Sequence, residues 1–184
     1  MKLSLLCILL GLGMGSLQIF GLTRPQQFKD AVRKFPRNLA AGVVLMLLGT
    51  AWFAWNVNGE PIADFSAYKP YMLIGFSAIG VFSCIFVRDF LAVRGLAVVL
   101  LLLGKLMVDT GRPHLGDSDL VLVIQGWAYF FILAGIYFTV APWRLRDLLN
   151  WGTANDARVK IGCALRLAFA LFIVVLGVTV FRTM

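Results

Sequence analysis

The sequence predicts an all-α, polytopic integral membrane protein: six transmembrane helices arranged as three sequential helical hairpins, with short amphipathic connections on one side. Three observations predict it: six long apolar segments, an extreme composition, and basic residues that alternate between rich and poor along successive loops. The segments cover residues 3–21, 39–57, 71–87, 95–110, 120–141 and 161–181. Each approaches the ~20 residues needed to cross ~30 Å of hydrocarbon. The chain is 60% hydrophobic with a mean hydropathy of +0.87, well above the ~45–50% apolar content of a soluble domain. The connections are short, so residues 1–184 read as one transmembrane domain. The net charge of +8 follows from loop arginines and lysines, as the positive-inside rule requires. No stretch combines the extended basic and aromatic surface that a nucleic-acid partner needs.

The first segment begins Met1-Lys2 like a signal peptide, but no small-residue cleavage site follows it. The basic stretch from Arg24 to Arg37 resists translocation, so a retained helix is expected, with Gly11 and Gly15 spaced for close helix contact. The connection over 22–38 carries Arg24, Lys29, Arg33, Lys34 and Arg37 against Asp30. Within it, Pro25 opens a short amphipathic helix with Phe28, Ala31, Val32 and Phe35 on one face. The second and third segments are flanked by Trp52, Trp55, Tyr68 and Tyr71, an interfacial aromatic belt. Between them, Glu60 and Asp64 stand against Lys69 and read as solvated outer acids. The run from Arg88 to Arg94 is basic again and too short for anything but a tight turn. The loop 111–119 is acidic, with Asp117 and Asp119 against Arg112. The last connection holds Arg144, Arg146, Arg158 and Lys160 against Asp147 and Asp156. Its Pro142 opens a second amphipathic stretch, with Leu145, Leu148 and Leu149 apolar and Trp143 and Trp151 at the interface. In the sixth segment, Ala164, Ala168 and Ala170 are candidate contact residues, and Arg166 sits one turn in, within snorkelling reach of the headgroups.

Basic loops thus follow segments one, three and five, which places both termini outside and three hairpin tips in the cytoplasm of a bacterial-type inner membrane. Lys29, Arg33, Arg88 and Arg146 are the expected cytoplasmic surface, facing the bilayer and its anionic headgroups. The tips share basic-acidic pairs, Lys29-Asp30, Arg88-Asp89 and Arg146-Asp147. The stretch 25–32 aligns with 142–149 without a gap, as a repeated hairpin would, although loop constraints alone produce the same likeness.

The sharpest chemical motif is Lys105-x6-Arg112-Pro113, followed by His114. It resembles the first signature motif of the membrane phosphatidic acid phosphatase superfamily, whose members often have six helices and use that Lys and Arg to hold a substrate phosphate. The resemblance implies an anion site at Lys105 and Arg112. It stops there: that family also requires a Ser-Gly-His motif and a later Arg-and-His motif, whereas His114 is the single histidine here. A phosphoryl-enzyme route would have neither nucleophile nor acid, so no enzymatic activity is expected. Lys105 and Asp109 share a helix face at i, i+4, and Gln18 and Gln125 are candidates for hydrogen bonds between helices. Lys105, Asp109, Arg112, His114 and Gln125 together form the candidate polar or anion site. Cys7, Cys84 and Cys163 lie inside apolar segments with no metal-like spacing, so neither a metal nor another cofactor is expected.

These features favour a non-enzymatic accessory or assembly component that meets a partner membrane protein or a second copy of itself. The alternatives are a small transporter or channel acting as an oligomer, then a lipid-phosphate-binding protein. The orientation is directly testable. In a cysteine-free background, Ser66→Cys reacts with an impermeant thiol reagent in intact cells, whereas Gln27→Cys and Asn150→Cys react only after lysis. Labelling of position 27 from outside would reverse the topology.

Overall fold

The structure is a computed structural model that describes residues 2–60 and 67–182; Asp64 and Ser66 lie outside the described residues. It is all-α, with eight helices among the described residues. These are α1 (Leu3–Thr23), α2 (Pro25–Lys34), α3 (Leu39–Gly59), α4 (Lys69–Phe86), α5 (Leu91–Gly111), α6 (Val121–Val140), α7 (Trp143–Gly152) and α8 (Asp156–Val178). All but α2 and α7 are long and apolar enough to cross a membrane. In hydrocarbon every backbone N–H and C=O must be satisfied within the segment, which leaves the helix as the spanning form for such runs.

The short helices fall where Pro and helical periodicity place them. Pro25 occupies the first position of α2, where its missing N–H costs nothing. Pro142 precedes α7 rather than opening it. Asn38 caps α3 by accepting a hydrogen bond from the Ala41 N–H at 3.1 Å.

Two boundaries differ from the sequence reading. The fourth apolar helix begins at Leu91 rather than at residue 95, so Arg94 lies inside α5 and not in the turn. Phe90 adopts a left-handed conformation, φ 53°, which reverses the chain within Arg88–Phe90 and lets the helix restart at once. The sixth begins at Asp156 rather than 161, so Arg158 and Lys160 are helical. Asp156 suits that position, because a carboxylate in the first turn complements the helix dipole.

The chain divides into two compact units. One comprises residues 1–34, 106–127 and 146–184; the other comprises 35–105 and 128–145. In the first unit, α1 and α8 run antiparallel in close contact. A Cβ at Gly11 would stand 2.5 Å from Val174 Cγ2 and 2.8 Å from the Ala170 carbonyl oxygen. Gly15 faces Ala170, Gly21 meets the Cys163 sulfur, and Gly177 lies against Cys7. The GxxxG pair is therefore an interface. Of the three candidate alanines in α8, Ala170 is buried there, while Ala164 and Ala168 are exposed.

In the second unit, α3 and α5 run parallel, with Gly42 against Leu91 and Ala92, and Gly95 against Leu45 and Met46. On α4 the buried residue is Gly80, whose Cβ would collide with the Thr50 side chain. The Phe53 and Phe76 rings meet edge to face at 5.0 Å nearby.

Gly11→Ala should lower the stability of the solubilised protein by roughly 1–3 kcal/mol, the usual cost of overpacking a tight contact. Gly13→Ala, where a Cβ meets nothing within 4 Å, should leave stability unchanged or slightly raised. Thermal unfolding in one detergent compares the two. Equal stability of both variants would remove Gly11 from the packing account.

Candidate functional site

The five residues of the sequence-derived anion site divide between the two units, Asp109, Arg112, His114 and Gln125 in the first and Lys105 in the second. In the first unit, Gln125 is buried on α6 and donates through Nε2 to the Val108 carbonyl oxygen of α5 at 3.3 Å. Gly111 makes room for it, since a Cβ there would stand 2.5 Å from that nitrogen. The expected interhelix hydrogen bond of Gln125 is thus present. Gln18 is buried with its Oε1 unpartnered among the described residues. His114, in a 3-10 turn over Arg112–His114, pairs through Nδ1 with Asp117 Oδ2 at 2.9 Å. Asp109 and Arg112 lie exposed at the end of α5 and in that turn.

Lys105 belongs to the second unit, where its ammonium reaches Glu60 Oε1, past the end of α3, at 2.9 Å. Both side chains are about half exposed, so the pair tethers two helix ends and contributes little energy.

The basic residues expected to face headgroups are partly committed elsewhere. Lys29 forms an ion pair with Asp156. Arg33 donates through Nε to Thr153 Oγ1 at 2.9 Å and through Nη2 to the Thr153 carbonyl at 2.7 Å. These bonds staple α2 to the connection between α7 and α8. Arg146 pairs with Asp147 at 2.8 Å, and Arg88 is exposed in its turn.

The second unit contains a groove that no motif announced. It encloses ≈ 570 Å³, within the ~300–1,000 Å³ range of small-molecule sites. Phe53, Phe76, Ile79, Leu101 and Leu102 supply apolar wall from α3, α4 and α5. Three hydroxyls also line it, and each donates to the carbonyl four residues back: Thr50 to Met46, Ser83 to Ile79 and Thr139 to Gly135. Their protons are spent, so they offer the groove only acceptor lone pairs.

The donors are the two cations, Arg94 and Lys105. They stand eleven residues apart on α5, roughly 16 Å along the axis. Lys105 has its partner in Glu60. Arg94 differs: its Nε is buried without a hydrogen-bond partner among the described residues. A buried donor left unsatisfied is uncommon and points to a missing acceptor. The sequence reading missed Arg94 because it counted every charge between Arg88 and Arg94 as loop. The available signal was the apolar run Leu91-Ala92-Val93, which already belongs to the helix.

Among the described residues no three histidine, cysteine or acidic side chains gather as a metal site would require. Compared with protein-family models, curated proteins and solved structures, the chain matches none.

A double-mutant cycle with Glu60→Gln and Lys105→Met should return a coupling below about 1 kcal/mol, as for other exposed pairs. Thermal or denaturant unfolding measures it. A coupling of several kcal/mol would make this bridge a main support of the second unit.

Proposed function

We propose that the protein is a non-enzymatic component of a bacterial-type inner membrane that holds an anionic amphiphile in the groove of its second unit. One observation carries this reading: Arg94, whose Nε is buried without a hydrogen-bond partner among the described residues, lines an apolar-walled groove of ligand-site size. A guanidinium in hydrocarbon is costly and tends to mark a binding or transport path. An acidic head in the groove accepts from the Arg94 guanidinium, and charge-assisted bonds of this kind are the strong ones. The rest of the groove, running toward Lys105, is walled by Phe, Ile and Leu and suits a hydrocarbon chain. Of the five polar residues first grouped as a site, the groove takes only Lys105, so the reading rests on binding and not on a polar translocation path.

The accessory role then has a physical basis: the protein presents or retains a bilayer amphiphile, with its termini outside and α2 and α7 on the cytoplasmic face. The test is retention of a long-chain fatty acid by the full-length chain in native mass spectrometry, against a fatty alcohol of equal length. The acid should be retained preferentially. Arg94→Gln should lower its retention about tenfold, the loss of one charge-assisted contact, with Arg94→Lys intermediate. Ser83→Phe should lower retention of both ligands by filling the groove. Equal retention of acid and alcohol, or indifference to Arg94→Gln, would sink the reading.

A further inference from the structure

The first unit has a cavity of its own, ≈ 390 Å³, bounded by α2, α7 and α8. Its apolar wall includes Phe28 and Val32 of α2 and Leu148 and Leu149 of α7, the residues that give those helices their amphipathic character. On α8 the lining residues Arg158, Gly162 and Arg166 recur at i, i+4 and i+8, so they stand along one face. A Cβ at Gly162 would meet nothing within 4 Å, which leaves a bare stretch of backbone between two arginines.

The two arginines are available in different ways. Arg158 is held in place by Trp151, with its guanidinium carbon 5.2 Å from the indole ring and Nη1 donating to the Trp151 carbonyl at 3.4 Å. Arg166 makes no hydrogen bond or ion pair with any described residue. By contrast, Lys29 and Arg33 are engaged in the staple to Asp156 and Thr153. That staple keeps α2 against α8, and of its residues Thr153 lines the cavity.

We propose that this cavity binds the phosphodiester headgroup of an anionic phospholipid, with Arg158 and Arg166 as its anion contacts and Gly162 as its floor. Charge complementarity selects the occupant. Two arginines line a recess that holds no acidic lining residue, and guanidinium groups match phosphate oxygens in geometry as well as charge. The apolar wall from α2 and α7 accommodates the glycerol and the upper acyl chain, as an interfacial amphipathic helix does. A free phosphate would gain nothing from that wall. The site is independent of the Arg94 groove, being built from other residues in the other unit.

The test uses the purified full-length chain in neutral detergent, scored by native mass spectrometry after titration with phosphatidylglycerol, phosphatidylcholine or inorganic phosphate. Phosphatidylglycerol should be retained about tenfold better than phosphatidylcholine, and millimolar inorganic phosphate should not displace it. The pair Arg158→Gln and Arg166→Gln should abolish that preference. Gly162→Leu, which fills open space, should lower phosphatidylglycerol retention while leaving thermal unfolding unchanged. Arg94→Gln should leave the preference intact, so failure here and failure at the groove are distinguishable. Equal retention of the two lipids, displacement by inorganic phosphate, or full binding by both the arginine and the glycine variants would overturn the proposal.

Discussion

Helices inside hydrocarbon gain nothing by hiding apolar side chains from lipid, so close contact between backbones must hold them together. In this protein that contact is made at glycine. Gly11, Gly21 and Gly177 set the antiparallel pair α1–α8; Gly42, Gly95 and Gly80 set the parallel and antiparallel pairs around α3. At each, a single added carbon would meet a neighbouring helix at 3.0 Å or less. The large residues do the opposite work. Leu9, Leu12 and Leu17 of α1 and Ile74, Phe82 and Phe86 of α4 are exposed on the protein surface, where acyl chains complete their packing.

The cations divide by what surrounds them. Lys29, Arg33 and Lys105 reach protein acceptors and hold elements together, and Arg146 pairs with its neighbour Asp147. Arg94 and Arg166 find no such partner among the described residues, and each borders a cavity. Depth separates the two cases. Arg94 is partly buried, with its Nε inaccessible, whereas Arg166 is exposed at the helix surface. The proposed binding at both cavities rests on the same principle, that a cation beside an apolar recess attracts a counter-charge from outside the chain.

The helices themselves were readable because length and hydropathy determine what can cross a bilayer. The short helices were readable because Pro25 and Pro142 mark starts and Phe28, Leu145 and Leu148 repeat at helical spacing. The partners were not. Local spacing could suggest Asp109 for Lys105 but not Glu60, which arrives from a different helix end. It could pair Lys29 with the adjacent Asp30 but not with Asp156, 127 residues away. Arg94 was misplaced for a related reason: in a short turn, charge alone does not show where the helix resumes, and a single left-handed residue at Phe90 settled it.

The pairing of α1 with α8 has a consequence for how the chain is made. Translation delivers helices in order, and domains form as their parts emerge. Of the eight helices, α1 leaves the ribosome first and α8 last, yet Gly11 and Gly177 belong to one interface. The glycine face of α1 must wait in the bilayer, without its mate, through the synthesis of every intervening span. The staples from Lys29 and Arg33 close only after that, since Asp156 and Thr153 arrive with the final helix. The second unit can assemble while the ribosome is still working, because its last contributing residue precedes α8. Biogenesis is thus ordered by topology: the second unit completed early, and the seam between α1 and α8 closed at the end.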